Sequence, residues 1–183
     1  MLHSFASWLD PKPVSLILDV GCGPGLLPEI LAQKGCRAFG VDLSFEMFRD
    51  ALHPDLLLAD VTSLPFPPSS FDLLTASNLL FLLPDPPAAL KEMTHFLAPN
   101  GEIALLNPSE KMSVSAAMKL ADKRNLKGLA RETLLNYAAR AEHHFRWSEA
   151  DLHELFAAAN LRLTDTTTRM RPGLVRFVRG KLV

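Results

Sequence analysis

Apolar and polar positions alternate between two periods along most of this chain. Short runs of strand character, Leu16–Val20, Arg37–Val41, Leu56–Ala59, Phe71–Ala76 and Glu102–Asn107, are separated by stretches with apolar residues at helical spacing, Leu26–Lys34, Phe45–Leu52 and Pro87–Leu97. Strand and helix in strict alternation predict a parallel sheet covered on both faces. The cluster Leu64-Pro65-Phe66-Pro67-Pro68-Ser69-Ser70 predicts a tight loop, and Pro99-Asn100-Gly101 a helix stop that turns into the next strand. From Pro108 to Arg146 the alternation breaks. Val114, Met118 and Ala121 share one helical face and Leu134, Ala138 and Ala141 another, which predicts two helices parted near Asn125–Gly128 and inserted after the fifth strand. Ser148, with Glu149 and Asp151 behind it, predicts the N-cap of a further helix reaching about Asn160. Two final strand-like runs, Leu161–Thr168 and Leu174–Val183, are joined through Arg171-Pro172-Gly173 and must pair antiparallel. The expected fold is a three-layer αβα, Rossmann-like, seven-stranded sheet, mostly parallel, with a C-terminal antiparallel hairpin.

The candidate chemistry begins where the first strand ends. In Asp19-Val20-Gly21-Cys22-Gly23-Pro24-Gly25 an apolar strand runs into three glycines and then directly into a helix. That arrangement binds a cofactor at the carboxyl end of a parallel strand, because the backbone turns sharply and a ligand can approach where a Cβ would collide. A dinucleotide fingerprint needs Gly or Ala where this chain has Leu26, so the spacing points away from a nicotinamide cofactor.

Length and composition narrow the class. A chain of 183 residues, 48% hydrophobic and 21% charged, fits a single globular domain over residues 1–183. No stretch is apolar for long enough to span a bilayer, and Met1–Pro13, with Asp10 and Lys12 among turn formers, does not read as a secretory signal. Cys22 and Cys36 are the only cysteines, which suits a reducing, cytoplasmic setting better than a disulfide framework. The net charge of −1 conceals a division: 5 basic and 13 acidic residues through Glu110, against 14 basic and 7 acidic from Lys111 onward. An acidic half suits a cationic cofactor; the basic half is read as solvated helix faces and a basic last strand, with an anionic acceptor, a nucleic acid or a membrane surface as alternatives.

With these elements in order, the chain from Leu16 to Val183 resembles the class I S-adenosylmethionine-dependent methyltransferases, closest to the small-molecule branch that includes ubiquinone- and menaquinone-biosynthesis-like enzymes. The resemblance implies S-adenosylmethionine as cofactor and S-adenosylhomocysteine as its product. Asp19, Gly21, Cys22, Gly23 and Gly25 match the motif that holds the cofactor's methionine part. Asp42, in Gly40-Val41-Asp42-Leu43-Ser44, matches the acid that binds both ribose hydroxyls, with Leu43 beside it. Asp60 and Val61 match the acid and following amide that recognise adenine. Asn78 begins the loop leading to the transfer site, and Met47 is placed under the adenosine. Each role has a plainer counterpart: Asp42 capping the helix near Ser44, Asp60 forming a turn before Thr62, Met47 filling core, Cys22 merely small.

The acceptor is less constrained. Relatives carry histidine in the loop after the fourth strand, whereas this chain has Phe81 and Leu82, an apolar wall. Candidate bases are then His143, His144 and Tyr137 in the 108–146 insertion, which the resemblance casts as a cap over the acceptor. Their plainer readings are helix-end histidines and an amphipathic core tyrosine. Nucleic acid is disfavoured, since Asn78-Leu79-Leu80-Phe81 lacks the double proline of base-flipping enzymes. The expected activity is methyl transfer to a small, partly apolar acceptor at O, N or C, by a monomer or homodimer. A non-catalytic S-adenosylmethionine-binding protein and a nucleic-acid methyltransferase are the alternatives.

Overall fold

The structure is a computed structural model describing residues 1–183. Seven strands, β1 (Leu16–Val20), β2 (Arg37–Asp42), β3 (Leu56–Leu58), β4 (Phe71–Ser77), β5 (Leu97–Pro108), β6 (Leu161–Arg169) and β7 (Val175–Leu182), form one sheet in the order β3-β2-β1-β4-β5-β7-β6. The first five are mutually parallel, and β7 lies antiparallel between β5 and β6. This is the predicted fold. The central strands are buried on both faces, as their near-continuous apolar runs require. Strand order reverses between β1 and β4, so the carboxyl ends of those strands open a crevice where an α/β sheet binds its ligand.

Six helices surround the sheet: α1 (Leu2–Leu9), α2 (Leu26–Ala32), α3 (Pro86–Thr94), α4 (Val114–Lys123), α5 (Gly128–Glu142) and α6 (Glu149–Ala158). The Ser148 cap is present as a full capping box, Asp151 N donating to Ser148 Oγ at 3.2 Å and Ser148 N to Asp151 Oδ2 at 2.8 Å.

Three boundaries differ from expectation. The segment Phe45–Leu52 forms only a single 3-10 turn, Phe45–Phe48, because Leu52 N donates to Pro24 O at 2.7 Å and draws the chain back to the glycine loop. The third helix stops at Thr94, not Leu97, and Leu97 already pairs with Phe71. Pro99-Asn100-Gly101 therefore forms a bulge inside β5, with Asn100 at φ +66°, and not a turn before it. Finally, α1 was not signalled by the sequence. Its Phe5 ring sits 5.0 Å from that of Phe177 in β7. The Arg179 guanidinium lies 4.2 Å over the Trp8 ring and donates to the Trp8 and Leu9 carbonyls, satisfying the end of the helix.

His53 joins the glycine-loop region to the sheet. It is buried, with Nε2 2.9 Å from Ala38 O and Nδ1 3.2 Å from the Glu29 carboxylate of α2.

Candidate active site

The cleft at the switch point is built from the ends of β1, β2 and the β3 loop, with the loop after β4 and the start of α3 as its far wall. It encloses about 340 Å³ and is lined by Gly21, Asp42, Leu43, Asp60, Val61 and Leu79 among others. Gly21 and Cys22 both donate their amides to Val41 O, at 2.8 and 3.0 Å, which fixes the turn against β2. At Gly21, φ is +72° and a Cβ would stand 3.0 Å from the Leu79 side chain. At Gly23, φ is +55° and a Cβ would meet nothing within 4 Å, so this glycine serves the backbone conformation and leaves the cradle open.

Asp42 ends β2 with both carboxylate oxygens engaged: Oδ2 accepts from Gly23 N and Oδ1 from Ser44 N, each at 2.9 Å. Ser44, not Asp42, occupies the cap position of the 3-10 turn. Each carboxylate oxygen keeps a further lone-pair site, which is what a vicinal diol needs. Asp60 behaves as a turn former through Oδ1, which accepts from Thr62 N and Oγ1 at 2.9 Å and holds its carboxyl below the usual range. Its Oδ2 is uncommitted, and the residue lines the cleft.

Asp19 is buried in β1. Its Oδ1 accepts from Thr75 Oγ1 at 2.7 Å, whereas Oδ2 has no partner. Burial away from any countercharge, only partly offset by the Thr75 hydrogen bond, raises its pKa to about 7. Burial, with Asp19 and Asp42 nearby, likewise pushes the Cys22 thiol up, so Cys22 is a space-limited loop residue and no thiolate nucleophile. Met47 is 47% exposed, so it does not fill core.

A second chamber of about 580 Å³ adjoins the first across the loop after β4. Leu79 lines the cleft, while Asn78, Phe81, Leu82 and, from α5, Tyr137 and Arg140 line the chamber. Asn78 holds φ +59°, its amide donating to Leu106 O at 2.7 Å and its Oδ1 buried without a partner. Phe81 is buried and meets Tyr137 edge-on at 5.9 Å and His144 at 6.2 Å. The Tyr137 hydroxyl has no partner, and burial pushes its pKa up, which removes it as a base. His143 is the exposed C-cap of α5; His144 is exposed outside Phe81, and neither lines the chamber.

Sequence reasoning missed Thr75, the partner of Asp19, and Asn107. Asn107 is 3% exposed at the end of β5, with both side-chain polar atoms unpartnered. Its only sequence signal is a polar residue closing the buried run Ile103–Leu106. Buried polar atoms left without partners are uncommon in a finished fold. Here Asp19, Asn78 and Asn107 leave them at the carboxyl ends of three adjacent strands, and an open glycine cradle lies beside Asp42. These residues fit a cofactor that brings a diol and a cationic group.

A parallel sheet with this strand order, a glycine turn after β1 and acids after β2 and β3 defines a Rossmann-like protein of the methyltransferase type. Residues 18–105 match the family model described as a methyltransferase domain. The chain is 36% identical over 99 residues to the demethylmenaquinone methyltransferase of Corynebacterium urealyticum, covering 53% of this chain and 43% of that one. It is 36% identical over 96 residues to a ubiquinone biosynthesis O-methyltransferase of Idiomarina loihiensis, covering 48% and 40%. Its fold matches the magnesium protoporphyrin IX methyltransferase of Synechocystis with bound S-adenosylhomocysteine at a TM-score of 0.70 and 18% identity, covering 100% of this chain and 82% of that one. Residues 18–105 therefore form a methyltransferase domain of the S-adenosylmethionine-dependent type, within a chain whose whole fold is similar to those enzymes. The chain spans less than half the length of the two curated relatives above.

Proposed function

We propose that this protein transfers the methyl group of S-adenosylmethionine to a small, partly apolar acceptor held in the chamber between the loop after β4 and α5, beneath the 108–146 segment. The observation that carries the reading is the adjacency of two cavities on either side of the loop after β4, a mainly apolar cleft that contains Asp42 and Asp60 and a concavity of mixed aromatic and polar lining. The first offers Asp42, Asp60 and the close backbone approach that Gly21 allows; the second is lined by Phe81, Leu82 and Tyr137 together with the polar Asn78, Asn136 and Arg140. The cofactor supplies an activated sulfonium methyl, so the bond from sulfur to carbon breaks as the acceptor's lone pair bonds to that carbon.

What the chain's residues contribute is position and exclusion of water. The chamber holds no group able to take a proton: the Tyr137 phenol is kept protonated and Arg140 is a cation. The acceptor therefore arrives with its nucleophile free, as an ionised phenol, an amine or a carbanion-like carbon. Aromatic edges from Phe81 and Tyr137 suit a flat ring, and the relatives named for ubiquinone biosynthesis and demethylmenaquinone make hydroxylated and quinonoid rings the first acceptors to test. Two buried, unpaired thiols suit the reducing cytoplasm.

The test is release of S-adenosylhomocysteine when the protein and S-adenosylmethionine are incubated with a panel of phenols, catechols, quinols and amines. Turnover that follows acceptor ionisation and survives His143→Ala and His144→Ala supports the reading. Tight cofactor binding with no turnover across the panel would instead make this a cofactor-binding protein without acceptor chemistry.

A further inference from the structure

A concavity larger than the cofactor cleft lies elsewhere on the molecule. It is an open groove of about 1010 Å³ between α4 and the turn joining β6 to β7. Lys119, Lys123 and Arg124 line it from the helix side and Arg169 and Arg171 from the turn; no carboxylate does. Because β6 runs parallel to β1, this turn lies on the carboxyl edge of the sheet, as the cofactor cleft does. Four strand steps separate β1 from β6, roughly 19 Å at the usual strand spacing, so the groove is a separate place.

Ion pairing along the same hairpin makes a sharp contrast. Arg176 meets Glu110 and Glu149 at 3.4 and 3.2 Å, and Arg179 meets Glu102 at 3.3 Å. On α4 itself Asp122 pairs with Arg131 at 2.7 Å. None of the five groove cations has a carboxylate within 4 Å. Lys123 and Arg124 close α4, where cations complement the helix dipole, and that accounts for two of them. It does not account for Lys119, Arg169 and Arg171.

Arg169 is also held in place. One guanidinium nitrogen donates to Thr167 Oγ1 at 2.5 Å and to Thr168 O at 3.1 Å, and the group lies 5.4 Å over the Phe177 ring. Its other nitrogens remain free as a planar fork, the geometry that accepts two phosphate oxygens. Ser115 and Thr168 add exposed hydroxyl donors on opposite walls.

We infer that this groove is a second binding site, for a small molecule bearing a phosphoryl or pyrophosphoryl group, recognised by the Arg169 fork and the surrounding unpaired cations. The inference is independent of which acceptor is methylated, because it concerns a place that the cofactor and acceptor do not occupy.

The experiment is calorimetric titration of the whole chain with inorganic pyrophosphate and, separately, with inorganic phosphate. Saturable binding of one pyrophosphate is expected, weakened at least tenfold in the double variant Lys119→Glu/Arg171→Glu. Both positions are exposed, so folding should survive, and unchanged S-adenosylmethionine affinity in the variant verifies it. The same affinity for pyrophosphate in Lys34→Ala, distant from the groove, completes the expected pattern. Absence of saturable pyrophosphate binding, or binding indifferent to the double charge reversal, overturns the site. Single-stranded RNA or phosphatidylglycerol vesicles bound through these residues while pyrophosphate is not would also overturn it, and would identify the groove as a macromolecular surface.

Discussion

Asp19 and Thr75 share one hydrogen bond of 2.7 Å between adjacent buried strands, and that single bond is all that Asp19 receives. A carboxylate so placed is poised to change its charge near neutrality.

The sign follows from linkage. The folded pKa of about 7 exceeds the unfolded value, so the folded apo protein holds a proton that the unfolded chain has lost. The stability contribution of Asp19 is greatest below about pH 4 and falls until pH passes about 7, a loss on the order of 4 kcal/mol. Asp19→Asn should remove this slope, leaving the variant the more stable apo protein at pH 8. Urea unfolding of both proteins at pH 5, 7 and 8 gives the difference; parallel curves would show that Asp19 does not titrate as described.

Cofactor affinity should move the opposite way. A cationic ligand favours ionised Asp19, so S-adenosylmethionine should bind more tightly as pH rises from 6 to 7.5, approaching tenfold per unit at the steepest. Calorimetry in two buffers of different ionisation enthalpy would detect the accompanying proton release. A flat profile places the cationic group away from Asp19.

Asp42→Ala should weaken S-adenosylmethionine by about 1.5–3 kcal/mol, the scale for hydrogen bonds to a charged group. It also frees the Gly23 amide, so exchange at Gly23 should quicken even in the apo protein. Unchanged affinity in a folded variant would end the ribose assignment.

Gly21→Ala combines two penalties, a left-handed backbone and a Cβ 3.0 Å from Leu79. The backbone part alone costs about 1–2 kcal/mol. Adding Leu79→Gly, which removes the Cβ as well as both Cδ atoms that stand 3.0–3.1 Å away, should recover the steric part of the lost cofactor affinity and none of the backbone part; full recovery would mean that φ at this position is not restrictive.

Arg179→Ala should loosen α1, since the guanidinium both covers Trp8 and closes the helix carbonyls. The cation–π contact contributes about 0.5–2 kcal/mol. Hydrogen exchange should accelerate across Leu2–Leu9 with cofactor affinity unaltered.

Much of this architecture is legible in sequence because it depends on local signals: buried strands read as apolar runs, and the Ser148 box sits beside its own helix. What escapes depends on partners distant in the chain. The docking of α1 needs Phe177 and Arg179, some 170 residues away, and a segment of only eight residues is too short to declare a helix without them. The helix expected over Phe45–Leu52 yields to one tertiary hydrogen bond from Leu52 to Pro24. In the site, the glycines and acids were visible as spacing. Asn107 was not, because only the three-dimensional ledger of donors and acceptors reveals that it lacks a partner.

The placement of β7 has a consequence for biosynthesis. β7 follows β5 and β6 in the chain and lies between them in the sheet, so neither is paired on that side by the part of the chain made earlier. A ribosome exposes the cofactor half first, and until Val175–Leu182 emerges β5 presents an open, apolar edge. Premature termination between Pro108 and Val175 yields a species with an intact glycine turn and a sticky flank. A chain halted between Pro108 and Val175 should therefore aggregate more readily than one halted before β5 is made.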